Sequence, residues 1–272
     1  MGNRRRQPAG VDSRSDSLEY RSEAVTVKIS FRKTSLVDYP GKIAGTLFFP
    51  GCNLLCPWCH NRNLVLGEAF EGAVQLEDAL KHLEKRRTVL GGAVLSGGEP
   101  ALYGDLPDLI RRVKGLGLSV KLDTNGMEPA ALERLLRNPE TSPDYIALDL
   151  KSDPSRYVLW GFRASGSPEN RLKTAADLIA SARIPHEFRT LVFPNGLITE
   201  QDIEVLAEFA DGSPWHFRLF RPGNCLDPAW DNLDPAEPAI AETLARKAAA
   251  LGKQAICAET QTRSLAFFRR QE

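Results

Sequence analysis

Apolar runs and stretches of helical spacing take turns along most of this chain, and that alternation limits its fold more tightly than any other feature. Lys42 to Phe49 is a mostly apolar run that stops at Pro50-Gly51. Leu76, Ala79, Leu80 and Leu83 then share a helical face, and Ala93-Val94-Leu95 follows, ending at Ser96-Gly97-Gly98. The same reading predicts helices over about 105–116, 128–137, 171–183, 200–210 and 236–251, and strands over Ser119–Leu122, Tyr145–Leu150, Glu187–Phe193 and His216–Phe220. Six strands, each followed by a helix, imply an α/β fold whose parallel sheet carries helical crossovers on its outer face. That is too few units for an eight-fold barrel, so an open (β/α)6 partial barrel is expected, although a doubly wound sheet would alternate in the same way.

Val25, Val27, Ile29 and Phe31 alternate with polar residues and read as a half-buried strand ahead of this array. Residues 1–24, rich in Arg, Ser, Asp and Glu, are expected to be a disordered tail, with a single folded domain over 25–272. The connection Ser152–Asn170 is long for a βα loop and reads as a candidate lid.

The 35 Lys and Arg balance the 35 Asp and Glu, so no net field favours nucleic acid or an anionic membrane as a partner. The basic start MGNRRRQPAG runs into polar VDSRSDSLEY rather than the apolar stretch of roughly 7–15 residues that an export signal needs. Runs such as Ile43 to Phe49 are far short of the ~20 residues that cross a bilayer. A soluble, cytoplasmic protein is expected.

Three of the 5 cysteines crowd into Gly51-Cys52-Asn53-Leu54-Leu55-Cys56-Pro57-Trp58-Cys59-His60, directly after an apolar strand, at spacing C-x3-C-x2-C. Three thiolates so close together can wrap one corner of an iron–sulfur cubane and leave one iron open to a ligand. Structural zinc usually takes four ligands in two separated pairs, and here no second pair exists. Cys225 and Cys257 stand alone, too few for a second all-cysteine cluster, so one cluster with Cys52, Cys56 and Cys59 as its ligands is expected.

Polar motifs recur where apolar strands end. Ser96-Gly97-Gly98-Glu99-Pro100 pairs glycines, which permit close backbone approach to a ligand, with a carboxylate able to receive an ammonium group. On that reading Gly98→Val would spare the cluster and weaken ligand binding. Asp123-Thr124-Asn125-Gly126 and Asp149-Leu150-Lys151 end the next strands, Arg189 lies within the fifth, and Arg218 and Arg221 fall in and after the sixth. In parallel α/β folds ligands sit beyond the C-terminal strand ends, where these motifs gather. Taken singly, Asp149 and Lys151 could simply pair with each other.

Tyr39-Pro40-Gly41-Lys42, Phe49-Pro50-Gly51-Cys52-Asn53, Cys56-Pro57-Trp58-Cys59-His60-Asn61 and Ser96-Gly97-Gly98-Glu99-Pro100 resemble the radical S-adenosylmethionine activating enzymes. Within these, the likeness is to anaerobic ribonucleoside-triphosphate reductase activating proteins, then to pyruvate formate-lyase activating enzymes, from about Ser35 to Asp227. The resemblance implies a radical SAM-type partial barrel and a [4Fe–4S] cluster on Cys52, Cys56 and Cys59. It implies S-adenosylmethionine held by the Trp58, Cys59 and His60 stretch, by Gly97, Gly98 and Glu99 at the methionyl amine, and by Asp149, Leu150, Lys151 and Arg189. Asp123, Thr124 and Asp149 match a monovalent-cation site near the cofactor carboxylate, and Arg221 stands about where such enzymes carry a histidine. The implied activity is removal of hydrogen from a glycine Cα of a partner glycyl-radical enzyme, with an electron donor such as flavodoxin or ferredoxin. The alternatives are radical chemistry on a small molecule, or a non-catalytic zinc or iron–sulfur protein.

Overall fold

The computed structural model describes residues 27–67, 72–162 and 164–257; the expected disordered tail and the outer ends of the expected domain lie outside them. The strands are β1 (Lys28–Ser35), β2 (Ala44–Phe49), β3 (Val74–Gln75), β4 (Gly92–Gly97), β5 (Ser119–Thr124), β6 (Tyr145–Asp149), β7 (His186–Val192), β8 (Trp215–Leu219) and β9 (Ala255–Cys257). The helices are α1 (Arg62–Val65), α2 (Leu76–Arg86), α3 (Leu106–Gly115), α4 (Pro129–Leu136), α5 (Pro168–Ala182), α6 (Glu200–Ala207) and α7 (Pro238–Ala250). All nine strands form one sheet in the order β3-β1-β2-β4-β5-β6-β7-β8-β9.

From β2 through β4 to β9 every pairing is parallel, and each step passes through helix, as a parallel crossover requires. Among the parallel strands β2 and β4 to β9 the order never reverses, whereas a doubly wound sheet reverses at a switch point. β1 pairs antiparallel with β2 and β3, and among the described residues the edges β3 and β9 do not pair with each other, which leaves the array open as expected.

The sheet curls tightly. Tyr39, in the β1–β2 turn, meets Tyr145 on β6 with ring centroids 6.0 Å apart, although β4 and β5 lie between β2 and β6. Asp123 on β5 likewise reaches Arg189 on β7 across β6. The two faces differ in chemistry because side chains alternate. On β5, Val120 and Leu122 join the main hydrophobic core under the helices, while Lys121 and Asp123 point the other way and find charged partners. α2 shows the outer packing: Leu76, Ala79, Leu80 and Leu83 are buried, with Glu77 and Asp78 in the first turn and Lys85 and Arg86 in the last, favourable against the helix dipole.

Three expectations need correction. The first strand runs on to Ser35, because pairing with β2 extends through Ser35 to Ala44. A seventh parallel strand, β9, follows the last helix, and β3 adds a short antiparallel edge; at three and two residues both are too short to show a period. The Ser152–Asn170 connection is not a bare loop. It holds a 3₁₀ turn over Pro154–Trp160 with Tyr157 and Trp160 buried, and α5 begins at Pro168, earlier than residue 171, because the Ser167 hydroxyl accepts from the Asn170 amide at 3.1 Å with proline at the first helical position.

Candidate active site

β2 ends at Phe49, Gly51 turns the chain at φ +82°, and the cysteine segment folds back over the strand ends. Backbone bonds pin it: Gly51 N donates to Leu64 O at 2.8 Å, Leu55 N to Trp160 O at 2.6 Å, and Asp227 N to Pro57 O at 2.9 Å. Behind the thiols Trp58 packs on Trp160, Phe193 and Trp230 with centroids 4.6, 4.8 and 5.2 Å away. Phe220 closes the group against Phe193 and Trp230. Trp58 is therefore chiefly an anchor, with only 6 % of its surface exposed. Asn125 Nδ2 donates to Asn53 Oδ1 at 2.8 Å and lies 3.8 Å from Cys52 Sγ, and Asn61 Nδ2 donates to Gly97 O at 2.8 Å.

Cys52, Cys56, Trp58, Cys59 and His60 border a cavity of about 520 Å³ that runs from the cysteine loop onto the charged inner face of the sheet. Gly97, Gly98, Glu99, Asp123, Thr124, Asp149, Lys151, Arg189 and Arg221 line the same cavity. Leu150 does not, because its side chain alternates outward into the core. The cavity also takes in Asn125, Asn61 and Arg218, to which sequence reasoning gave no specific ligand role. Asn125 and Asn61 lie inside recognised motifs and Arg218 at a strand end, and that placement was the available signal.

The glycine pair has a stricter reason than ligand approach. Gly97 sits at φ +121°, and a Cβ there would lie 2.2 Å from Phe49 N; a Cβ on Gly98 would lie 1.8 Å from Gly51 O. The strand-end backbone fills the space, with Gly98 N donating to Phe49 O and Glu99 N to Gly51 O, both at 2.9 Å. Gly98→Val would thus disturb the backbone leading into Cys52, so its effect is expected to reach the cluster as well as the ligand. Glu99, 1 % exposed, is an internal clamp: its carboxylate accepts from Ala101 N at 3.0 Å, Thr124 Oγ1 at 2.8 Å and Asn125 N at 2.7 Å. Burial pushes its carboxyl up to about 7 against those bonds.

Asp149 Oδ1 accepts from Arg189 Nε at 2.7 Å, and its Oδ2 accepts from Lys151 Nζ at 3.1 Å. Burial opposes its charge, but Arg189 and Lys151 more than offset that and hold the carboxyl well below the usual range. Asp123 Oδ1 accepts from Lys121 Nζ at 2.5 Å, and its Oδ2 faces Arg189 Nη1 at 3.2 Å.

The three thiols fit a cubane. Burial pushes Cys52 and Cys56 up to about 12 and raises Cys59, so free thiols here stay protonated until a metal displaces the proton. Cys225 and Cys257 do not border the cavity. Among the described residues no His, Cys, Asp and Glu group is disposed around a single metal ion, whereas a cubane takes its thiolates on separate irons. For the monovalent cation, the acid oxygens it would use are already engaged by the chain's own cations.

A curled open sheet of parallel strands, with three cysteines after the first of them and one charged cavity below, defines the class, and the superfamily profile agrees. The chain belongs to the radical SAM superfamily, whose profile matches residues 46–210. A candidate glycyl-radical enzyme activating enzyme of Methanocaldococcus jannaschii is 30 % identical over 203 residues, covering 73 % of this chain and 82 % of that protein. The pyruvate formate-lyase 1-activating enzyme of Escherichia coli is 35 % identical over 192 residues, covering 66 % and 73 %. A radical SAM methyltransferase from Sphaerobacter thermophilus shares the fold at a TM-score of 0.59 and 15 % identity, over 80 % of this chain and 67 % of that one. Within the superfamily the protein stands among the glycyl-radical enzyme activating enzymes. It is an oxidoreductase that uses a [4Fe–4S] cluster and S-adenosylmethionine.

Proposed function

We propose that this enzyme activates an anaerobic ribonucleoside-triphosphate reductase by placing a radical on one of its glycines. The observation that carries this reading is the continuous cavity of about 520 Å³ joining Cys52, Cys56 and Cys59 to the charged inner face, in a chain whose relatives are named as activating enzymes. Cys52, Cys56 and Cys59 would hold the cluster and the cavity would hold S-adenosylmethionine, and together these groups would supply one-electron reductive cleavage and the removal of a hydrogen atom from a glycine Cα.

The protein's part is to hold and to exclude. Cys52, Cys56 and Cys59 supply three thiolates, and the ring cluster behind Trp58 keeps their loop rigid and dry. Gly97, Gly98 and Glu99, the last with its carboxylate fixed by three donors, would face the methionyl amine. Lys151 and Arg189 would face the carboxylate and the His60 stretch the nucleoside, and all of them line the one cavity.

A protein substrate suits the rim. Val158 and Leu159 are 56 % and 76 % exposed on the 3₁₀ turn that also fastens the cysteine loop, an apolar surface on which an extended partner segment can pack. A flavodoxin or ferredoxin is the proposed reductant. A reducing cytoplasm is the proposed setting, since clustered cysteines in such a compartment serve metal rather than disulfides. Pyruvate formate-lyase is the second partner to try, since several relatives carry that name.

The test is electron paramagnetic resonance of the reconstituted, reduced enzyme mixed without oxygen with each partner in turn. A glycyl radical that requires this protein and S-adenosylmethionine, formed on the reductase, supports the reading. The signal on pyruvate formate-lyase alone reassigns the partner, and repeated turnover on a small molecule with no glycyl signal overturns the proposal.

A further inference from the structure

On the inner face of the sheet, both aspartates are engaged by the chain's own cations. Asp123 gives one oxygen to Lys121 and the other to Arg189; Asp149 gives one to Arg189 and the other to Lys151. The Thr124 hydroxyl donates to Glu99 Oε1 at 2.8 Å and accepts from Gly126 N at 3.1 Å. A hard cation demands several oxygen ligands at once, and the aspartate oxygens it would use already accept from Lys121, Lys151 and Arg189. With side chains only 13 % exposed on Arg189 and 2 % on Lys121, a metal ion bound there would sit beside buried like charges.

Lys121, Lys151, Arg189 and Arg218 gather on this face with Asp123, Asp149 and Glu187. His216 lies 3.5 Å from Glu187. A ligand carboxylate can meet these cations directly, whereas a metal ion brought with it would add positive charge beside them. Arg218 is the most weakly matched of the four: its recorded partner is Glu187 at 3.7 Å, which also serves Lys121 and His216, and its side chain reaches the cavity.

We propose that the guanidinium of Arg189, clamped between Asp123 and Asp149 and supported by Lys151 and Arg218, takes the place of a monovalent metal ion at the methionyl carboxylate of S-adenosylmethionine. This rests on the cavity being the cofactor site. Its consequence is cofactor binding that is indifferent to Na⁺ and K⁺, and Arg189 acts as a positioning residue whose charge the two aspartates orient.

The experiment measures S-adenosylmethionine binding to the reconstituted holoenzyme by equilibrium dialysis and by the change in the reduced cluster's paramagnetic resonance. Buffers contain choline as the sole added cation, and NaCl or KCl is then exchanged in at constant ionic strength. The dissociation constant is expected to stay within about twofold, whereas saturable tightening of about tenfold or more by either ion overturns the proposal. Arg189→Met frees an oxygen on each aspartate, so in choline it should bind the cofactor about tenfold more weakly and recover when Na⁺ or K⁺ is added. A folded Arg189→Met protein that binds as the parent does in choline also overturns it, and the parent titration decides even where that variant fails to fold. Absence of binding in every salt would instead strike the cofactor site itself.

Discussion

Replacing Gly98 by alanine adds one methyl group where the end of β4 crosses the start of the cysteine loop. That Cβ would stand 1.8 Å from the Gly51 carbonyl oxygen and 2.6 Å from its carbon, both backbone atoms unable to rotate away. Ordinary contact begins at 3.4 Å, so the two segments must part by about 1.6 Å. Parting them breaks the bonds from Gly98 N to Phe49 O and from Glu99 N to Gly51 O, each now 2.9 Å. Two hydrogen bonds at about 0.5–1.5 kcal/mol each, with about 1–3 kcal/mol for overpacking, give an expected destabilisation of about 2–6 kcal/mol. The moving segment runs straight into Cys52, whose Cβ would be 3.3 Å from the new methyl, so cluster assembly should suffer as well. Urea unfolding of the anaerobic protein reads the first effect, and iron and sulfide content after reconstitution reads the second. Gly104→Ala is the control, since a Cβ there meets nothing within 4 Å. A Gly98→Ala protein within about 0.5 kcal/mol of the parent and with full iron would refute the reasoning.

Cys52→Ala, Cys56→Ala and Cys59→Ala should each lose the cluster, because a site with three ligands has none to spare; iron analysis of these beside Cys225→Ala and Cys257→Ala, which should keep about four irons, checks the ligand set. Burial raises Glu99 from 4.5 to about 7, so the stability linked to this group is fully present below 4.5 and fades as pH climbs to about 7. A ligand ammonium beside it favours the ionised form, so S-adenosylmethionine affinity should rise up to about tenfold per unit below pH 7 and then level off. Glu99→Gln should flatten that profile, and an unchanged slope in the variant would assign it elsewhere. Tyr157→Phe removes the hydroxyl that accepts from Lys151 N at 3.0 Å in a buried setting, and chemical denaturation should register a loss of about 1–3 kcal/mol.

Much of the framework is legible locally. The alternation of apolar strands with amphipathic helices is a property of neighbouring residues, and α3, α4 and α7 fall within a residue or two of their expected bounds. β9 and β3 have no such signature: Ala255–Cys257 and Val74–Gln75 become strands because β8 and β1 offer them ladder partners. The packed 3₁₀ turn at Pro154–Trp160 is of the same kind, since Trp160 O meets Leu55 N only once the chain has closed on itself.

At the site, the spacing of Cys52, Cys56 and Cys59 by itself pointed to a three-thiolate cluster, because ligand count and reach within eight residues depend on chain geometry alone. The sequence also showed polar motifs ending successive strands, and those motifs line one shared cavity. What each of those residues does was decided only by tertiary contacts. Glu99 became a clamp because Ala101 N, Thr124 Oγ1 and Asn125 N converge on it, and Leu150 turned outward because of the pleat. Gly98 proved to serve the chain's own backbone, and Arg189 came to lie between two aspartates on neighbouring elements far apart in sequence. Distances across a curled sheet are set by strand order and register, and neither is written in the spacing of any single motif.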